Sequence, residues 1–181
     1  MASKIKVDQI QTGDGTGTIA LQNQLSGMTH ASVPTLTGGH MPTGSVLQVV
    51  TAHSGTQVTS SSATYADSGL TGQITPSSTS SKVLVLISQS ISKDGATYAN
   101  IRVYRGSTEI GGSVAGRSIG YTNGSIHNYV GTGFSMAFQD SPSSTSAVTY
   151  KTQFNNSSAT GTVRVQVDSG QSYMTLLEIA G

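Results

Sequence analysis

Cysteine is absent from the chain, which removes disulfide frameworks and thiolate metal sites at a stroke. Stability has to come from burial and strand pairing. Charge is almost as scarce: Asp, Glu, Lys and Arg make up 9% of the residues, against about 25% in a typical soluble chain. Nine basic and eight acidic side chains create no clustered positive field of the kind that gathers phosphates, so DNA and RNA are not expected partners. Long apolar runs are missing as well. No stretch approaches the roughly 18 apolar residues that a membrane-spanning helix needs, and the opening residues lack the apolar core of a secretory signal. Neither a membrane partner nor secretion is expected. Good helix formers are thin, and no window of about eleven residues keeps a helical period, which argues against an α-helical fold.

What the chain does have is hydroxyl and amide polarity, from Ser, Thr, Asn and Gln, together with 22 glycines in 181 residues. A surface of this kind is neutral and little affected by salt, because screening acts on exposed charges. The length suits one domain of about 100 to 150 residues with an additional arm. Residues 1–43 form the expected arm and linker. Ile5 and Val7 alternate with polar neighbours, Ile10 follows, and Ile19 and Leu21 alternate after the Gly-rich turn 13–17. Two short strands are implied. Ile5, Val7, Ile10, Ile19, Leu21 and Leu25 are too few to make a core, since an isolated hairpin is marginal in water. Sister copies or another protein must cover them, so these six are the expected oligomer contacts.

From Gly44 to Gly181 the pattern is a dense series of strands. Val46 to Val50 and Val83 to Ile87 are short apolar runs of strand length, both expected to lie centrally. Ala99, Ile101 and Val103 alternate with Asn100, Arg102 and Tyr104. Val130, Thr132, Phe134, Met136 and Phe138 share a face opposite Gly131, Gly133, Ser135 and Ala137. Val148, Tyr150 and Phe154 continue the two-residue period, as do Val163, Val165 and Val167, and finally Met174, Leu176 and Glu178 against Tyr173, Thr175, Leu177 and Ile179. Gly106-Ser107 reads as a two-residue hairpin with glycine at the first central position. Asp94-Gly95, Asn123-Gly124 and the cluster around Pro142 mark further reversals. At least seven strands at this spacing predict an all-β fold: an antiparallel, jelly-roll-like β-sandwich with an extended N-terminal β arm, or failing that a closed barrel.

Chemistry-bearing constellations are sparse. Gly13-x-Gly15-x-Gly17 resembles a phosphate loop, but neither a following helix nor a Gly-Lys-Ser/Thr is present, and a tight turn explains it. His30, His40, His53 and His127 have no ligand spacing; only a threefold assembly could gather three copies of His30 or His40. No nucleophile elbow and no positioned carboxylate pair are expected, so the expectation is a non-enzyme with no metal and no cofactor. The segment 120–129 is richer. Tyr121, Asn123, His127, Asn128 and Tyr129 combine rigid aromatic area with adaptable hydrogen bonding, the chemistry of antibody loops and of sugar contacts. Tyr98, in the turn after Ser92, is of the same kind. The competing reading packs Tyr121 and Tyr129 at strand ends with their hydroxyls at the rim.

The opening Met1-Ala2-Ser3-Lys4-Ile5-Lys6-Val7-Asp8-Gln9-Ile10, the stretch Gly15-Thr16-Gly17-Thr18-Ile19-Ala20-Leu21 and the closing Tyr173-Met174-Thr175-Leu176-Leu177-Glu178-Ile179-Ala180-Gly181 resemble fibre and virion structural proteins of tailed bacteriophages, especially marine and cyanobacterial ones. The resemblance implies a homotrimer, a virion location after synthesis in the bacterial cytoplasm, an arm docked on other virion proteins of tail or capsid, and a distal β domain facing a host cell-surface glycan or protein. A head fibre or capsid decoration protein is the alternative, because the chain is short and has no heptad shaft.

Overall fold

The run Val83 to Ile87 supplies the middle of the sandwich. In the computed structural model, which describes residues 41–111, 117–119 (backbone only) and 130–181, it belongs to the longest strand, which has neighbours on both sides. Eleven strands occur among the described residues: β1 (Val46–Ser54), β2 (Val58–Ser60), β3 (Ala66–Ile74), β4 (Lys82–Lys93), β5 (Ala99–Arg105), β6 (Thr108–Gly111), β7 (Arg117–Ile119), β8 (Val130–Asp140), β9 (Val148–Asn156), β10 (Val163–Val165) and β11 (Ser172–Ile179). They make a six-stranded sheet of order β1-β11-β4-β10-β2, with β8 also paired to β4, and a five-stranded sheet of order β3-β9-β5-β6, with β7 paired to β5. Every pairing is antiparallel. The fold is a β-sandwich.

The period-two pattern decides which side chains fill it. Val83, Val85 and Ile87 from β4, Met174 and Leu176 from β11, and Tyr150 from β9 are all buried in one cluster with Leu70, Ile74 and Val103. Ile91, Ala99, Ile101, Phe154, Val163 and Val165 form a second. Phe134 packs against both. Each large apolar side chain removed from water contributes roughly 1.5 to 3 kcal/mol, so these two clusters carry most of the stability. The Gly106-Ser107 hairpin is present: Arg105 pairs with Thr108, and Gly106 takes a φ of +57° that a side-chain-bearing residue would resist.

Two expectations are corrected. The run Val46 to Val50 is not central among the described strands; it lies in β1, at the end of its sheet's strand order and paired there with β11 alone. Its apolar count reflects a face that stays partly exposed, with Val46 and Val49 48% and 57% accessible. The alternation through Val167 also fails. Strand β10 stops at Val165, Gln166 turns left-handed at φ 53°, and Val167–Ser169 is a single 3-10 turn before β11 begins. Between the pairs Val165/Ile91 and Tyr173/Ser88 the chain advances eight residues while β4 covers three. Thus β10 and β11 are one line of strand along β4 with a loop extruded from its middle. The proposed arm, with Ile5, Val7, Ile10, Ile19, Leu21 and Leu25, lies outside the described residues, as does the Asn123-Gly124 reversal.

Candidate contact surface

Of the expected contact residues only Tyr98 is described; Tyr121, Asn123, His127, Asn128 and Tyr129 lie outside the described residues. Tyr98 is half-buried at the end of the turn that links β4 to β5. That turn is held rigidly. Asp94 Oδ1 accepts the Thr162 amide at 2.7 Å, its other oxygen meets Arg164 Nη2 at 2.8 Å, and its own amide donates to the Thr162 carbonyl at 2.9 Å. Gly161 (φ +73°) sits so close that a Cβ there would lie 2.3 Å from the Asp94 carbonyl oxygen. Asn156 fastens the same end, donating to the carbonyls of Thr160 and Gly161 at 3.2 and 2.9 Å and accepting from the Thr97 hydroxyl. Asp94 is therefore an internal staple, not a ligand waiting for a partner. Val130, which follows Tyr129 in sequence, pairs with Lys93, so β8 enters its sheet at the end that carries Tyr98.

The outer faces of the two sheets differ in chemistry. On the five-stranded sheet, Lys151 bridges to Asp67 at 2.9 Å and Arg102 to Glu109 at 2.9 Å, while the Arg102 guanidinium lies 4.1 Å over the ring of Tyr65. Gln153 and Lys151 together hold the Asp67 carboxyl below its ordinary range. On the six-stranded sheet the outward positions run Val46, Val49, Thr51 and His53 along β1, Ile179, Leu177, Thr175 and Tyr173 along β11, Leu84, Leu86, Ser88, Ser90 and Ser92 along β4, and Gln139, Ala137, Ser135, Gly133 and Gly131 along β8. Between Lys82 at one end and Arg164 and Asp168 at the other, no described side chain on this face is charged. The charge-free face is apolar near Leu84 and hydroxyl-rich near Ser90.

At the hydroxyl-rich end lies an open groove of about 440 Å3. One side is β4 and β8; the other is the extruded loop with Asp168 and Gln171. No pattern rule points to this groove in the sequence, because the loop depends on left-handed backbone at Gln166, Asp168 and Ser169 (φ 53°, 49° and 63°), a region that usually goes to glycine or asparagine. The signal that was available is the row of small residues, Gly131 and Gly133 against Ser90 and Ser92.

Charge beneath the uncharged face is handled by hydrogen bonding. Glu178, 1% accessible, accepts from Gln48 Nε2 at 2.6 Å and from the Ser77 amide, Ser77 hydroxyl and Ser81 hydroxyl, each at 2.7 Å. Burial pushes its pKa up, but the bonds from Gln48, Ser81 and Ser77 together outweigh it and hold the carboxyl below the usual range. At the rim Asp140 receives Arg105 Nη1 at 2.9 and 2.7 Å and the Tyr150 hydroxyl at 2.8 Å, a link between the sheets. Burial, and then donation to Asp140, raises the Tyr150 pKa far above its ordinary value.

One sequence feature needs correction. Gly116-Arg117-Ser118-Ile119-Gly120 matches the Gly-x-Ser-x-Gly spacing of a nucleophile elbow, which the expectation of no elbow overlooked. Arg117–Ile119 is strand β7, paired with β5, whereas the elbow needs a sharp strand-to-helix turn. Among the described residues no group of three or more His, Asp or Glu could hold a metal ion, and no helix is long and apolar enough to cross a membrane. No protein-family model matches the chain, and no curated protein matches it significantly.

Proposed function

We propose that this chain is a non-enzymatic virion structural protein of a tailed bacteriophage: a short homotrimeric fibre that anchors through residues 1–43 and presents its sandwich to the host surface. The observation that carries this reading is the uncharged outer face of the six-stranded sheet. A contiguous apolar surface on a soluble domain marks a place where something docks, and here Val46, Val49, Leu86 and Tyr173 are between 37% and 57% accessible. The apolar end is assigned to a sister copy. Four strands about 4.8 Å apart and seven residues at about 3.4 Å each make a patch on the order of 400 Å2. That is roughly half the ~800 Å2 per partner of a standard interface, which leaves the remaining contact to Ile5, Val7, Ile10, Ile19, Leu21 and Leu25. Crossing of successive strands between the sheets supports the jelly-roll reading of the topology.

Three copies on one fibre, repeated around a particle, turn weak single contacts into firm attachment. The test has two parts, both on the full chain. Native mass spectrometry is expected to give a trimer. Labelled protein is expected to decorate at least one member of a panel of bacterial cells, with affinity changing less than about twofold between roughly 50 and 500 mM salt, because the contact face has little charge to screen. A monomer that decorates no cell overturns the proposal. The decoration reading is favoured instead if the trimer forms and binds phage heads but not cells.

A further inference from the structure

We infer that the groove between β4, β8 and the extruded loop is a binding site for a neutral saccharide, which rests on the adhesion reading and gives that face its ligand class. Four observations converge on it.

The first is an unmet hydrogen-bonding demand. Strand alternation puts Ser88, Ser90 and Ser92 on the groove side of β4. Ser92 is 1% accessible, yet its hydroxyl has no partner among the described residues. Buried polar groups are normally satisfied, and an exception calls for a missing donor or acceptor. A polyol supplies both kinds from each hydroxyl.

The second is space left on purpose by sequence. Opposite the serines, β8 carries Gly131 and Gly133, and a Cβ added at Gly133 would meet nothing within 4 Å. Glycine in a strand interior weakens the strand and often marks a place where a ligand approaches the backbone. Here the result is a groove of about 440 Å3, within the range of small-ligand sites.

The third is the wall. Gln166, Asp168 and Ser169 hold left-handed φ values without being glycine. Backbone strain of this kind clusters at functional sites. The strained turn carries Asp168, and Gln171 follows it; both residues line the groove. Asp168 is the one charged residue lining the groove among the described residues, so phosphate and sulfate groups are disfavoured, and a lone carboxylate is too little to hold a cation. Neutral hydroxyls fit.

The fourth is an apolar platform. Tyr173, the register partner of the groove residue Ser88, is 47% accessible and leans on His53 with ring centroids 6.3 Å apart. An exposed ring offers flat apolar area at small entropic cost, suited to the C–H face of a pyranose. Polar groove and aromatic lip together select an amphiphilic sugar over a purely polar solute.

The test is titration of the full chain with a panel of neutral oligosaccharides of glucose, galactose, mannose and N-acetylglucosamine, followed by amide chemical shifts. At least one sugar is expected to move Ser90, Ser92, Gly133 and Asp168, with millimolar affinity. Ser92→Ala and Tyr173→Ala should each weaken that sugar about tenfold, and Gly133→Leu, which fills the groove from open space, should abolish it. Thermal melts check that the variants fold; should Gly133→Leu unfold, Asp168→Leu blocks the same groove from its exposed wall. If no sugar of the panel binds at about ten millimolar, or if binding survives both blocking variants, the inference is overturned. Cells still decorated by Gly133→Leu protein would sink the groove alone and leave the adhesion reading standing, whereas a chain that decorates no cell sinks both.

Discussion

The two outer faces of the sandwich are built from the same strand geometry, yet among the described residues one carries ion pairs across its strands and the other has its ion pair, Arg164 with Asp94, only at one end. Lys151 with Asp67 and Arg102 with Glu109 mark the five-stranded face as one meant for water: long side chains cover its surface and keep it from sticking. The six-stranded face has Val49, Leu86, Leu177 and Tyr173 where those pairs would be, and then bare glycine and serine. The proposed contact role of the plain face rests on this difference, since nothing about the fold requires the ion pairs to be segregated.

The contrast can be broken or sharpened by substitution. The largest effect is expected beneath the plain face. Glu178→Ala strips four hydrogen bonds from a carboxylate that ties β11 to β1 and to the segment before β4, and should cost about 2 to 4 kcal/mol in urea unfolding, because Gln48, Ser77 and Ser81 lose their acceptor in a dry site. The same group sets an acid limit. Its folded pKa is depressed, so its stabilisation is complete above the carboxyl pKa of the unfolded chain and is lost as pH falls through the lower folded value. Denaturation midpoints measured at pH 6 down to about 2 should decline in the wild type and decline less in Glu178→Gln.

Next comes the apolar end of the face. Leu86→Lys places a charge in the middle of it and should weaken self-association at least tenfold by sedimentation, equal to about 1.4 kcal/mol, while the melting temperature of the dissociated chain barely moves. An unchanged trimer would remove Leu86 from the interface. Smaller again is Tyr150→Phe, which deletes the hydroxyl bound to Asp140 but leaves Arg105 on that carboxylate; a loss of roughly 1 kcal/mol is expected, read by chemical denaturation. The smallest change belongs to the charged face. Glu109→Gln breaks the exposed pair with Arg102 and should shift stability by no more than about 0.5 kcal/mol. A larger loss would mean that face is more than a solvated cover.

Much of this fold was legible from side-chain period alone. Ala99, Ile101 and Val103, or Val83, Val85 and Ile87, announce their buried side because alternation is a local property of a strand. Whether a strand lies centrally is not local: Val46 to Val50 looked like core, and only its pairing with β11 alone, among the described strands, places it at the end of its sheet's strand order. Valines 163 and 165 predicted their strand correctly, but Val167 continued the pattern in letters while Gln166 left it in backbone angle. The groove was invisible for that reason. Its two walls come from residues some eighty positions apart, Ser90 and Asp168, brought together by pairing that no short window contains. Tyr121, Asn123, His127, Asn128 and Tyr129 read as contact chemistry, and that reading rests on composition alone.

The extruded loop between Val165 and Ser172 has an evolutionary consequence. Because strand pairing with β4 resumes on both sides of it, the loop is an insert that the sheet tolerates and not a link that the sheet needs. Apart from the buried Gln166, its side chains can be exchanged with small cost to the framework, so under the proposed saccharide reading the lineage can retune the groove by editing a handful of codons while the scaffold stays fixed.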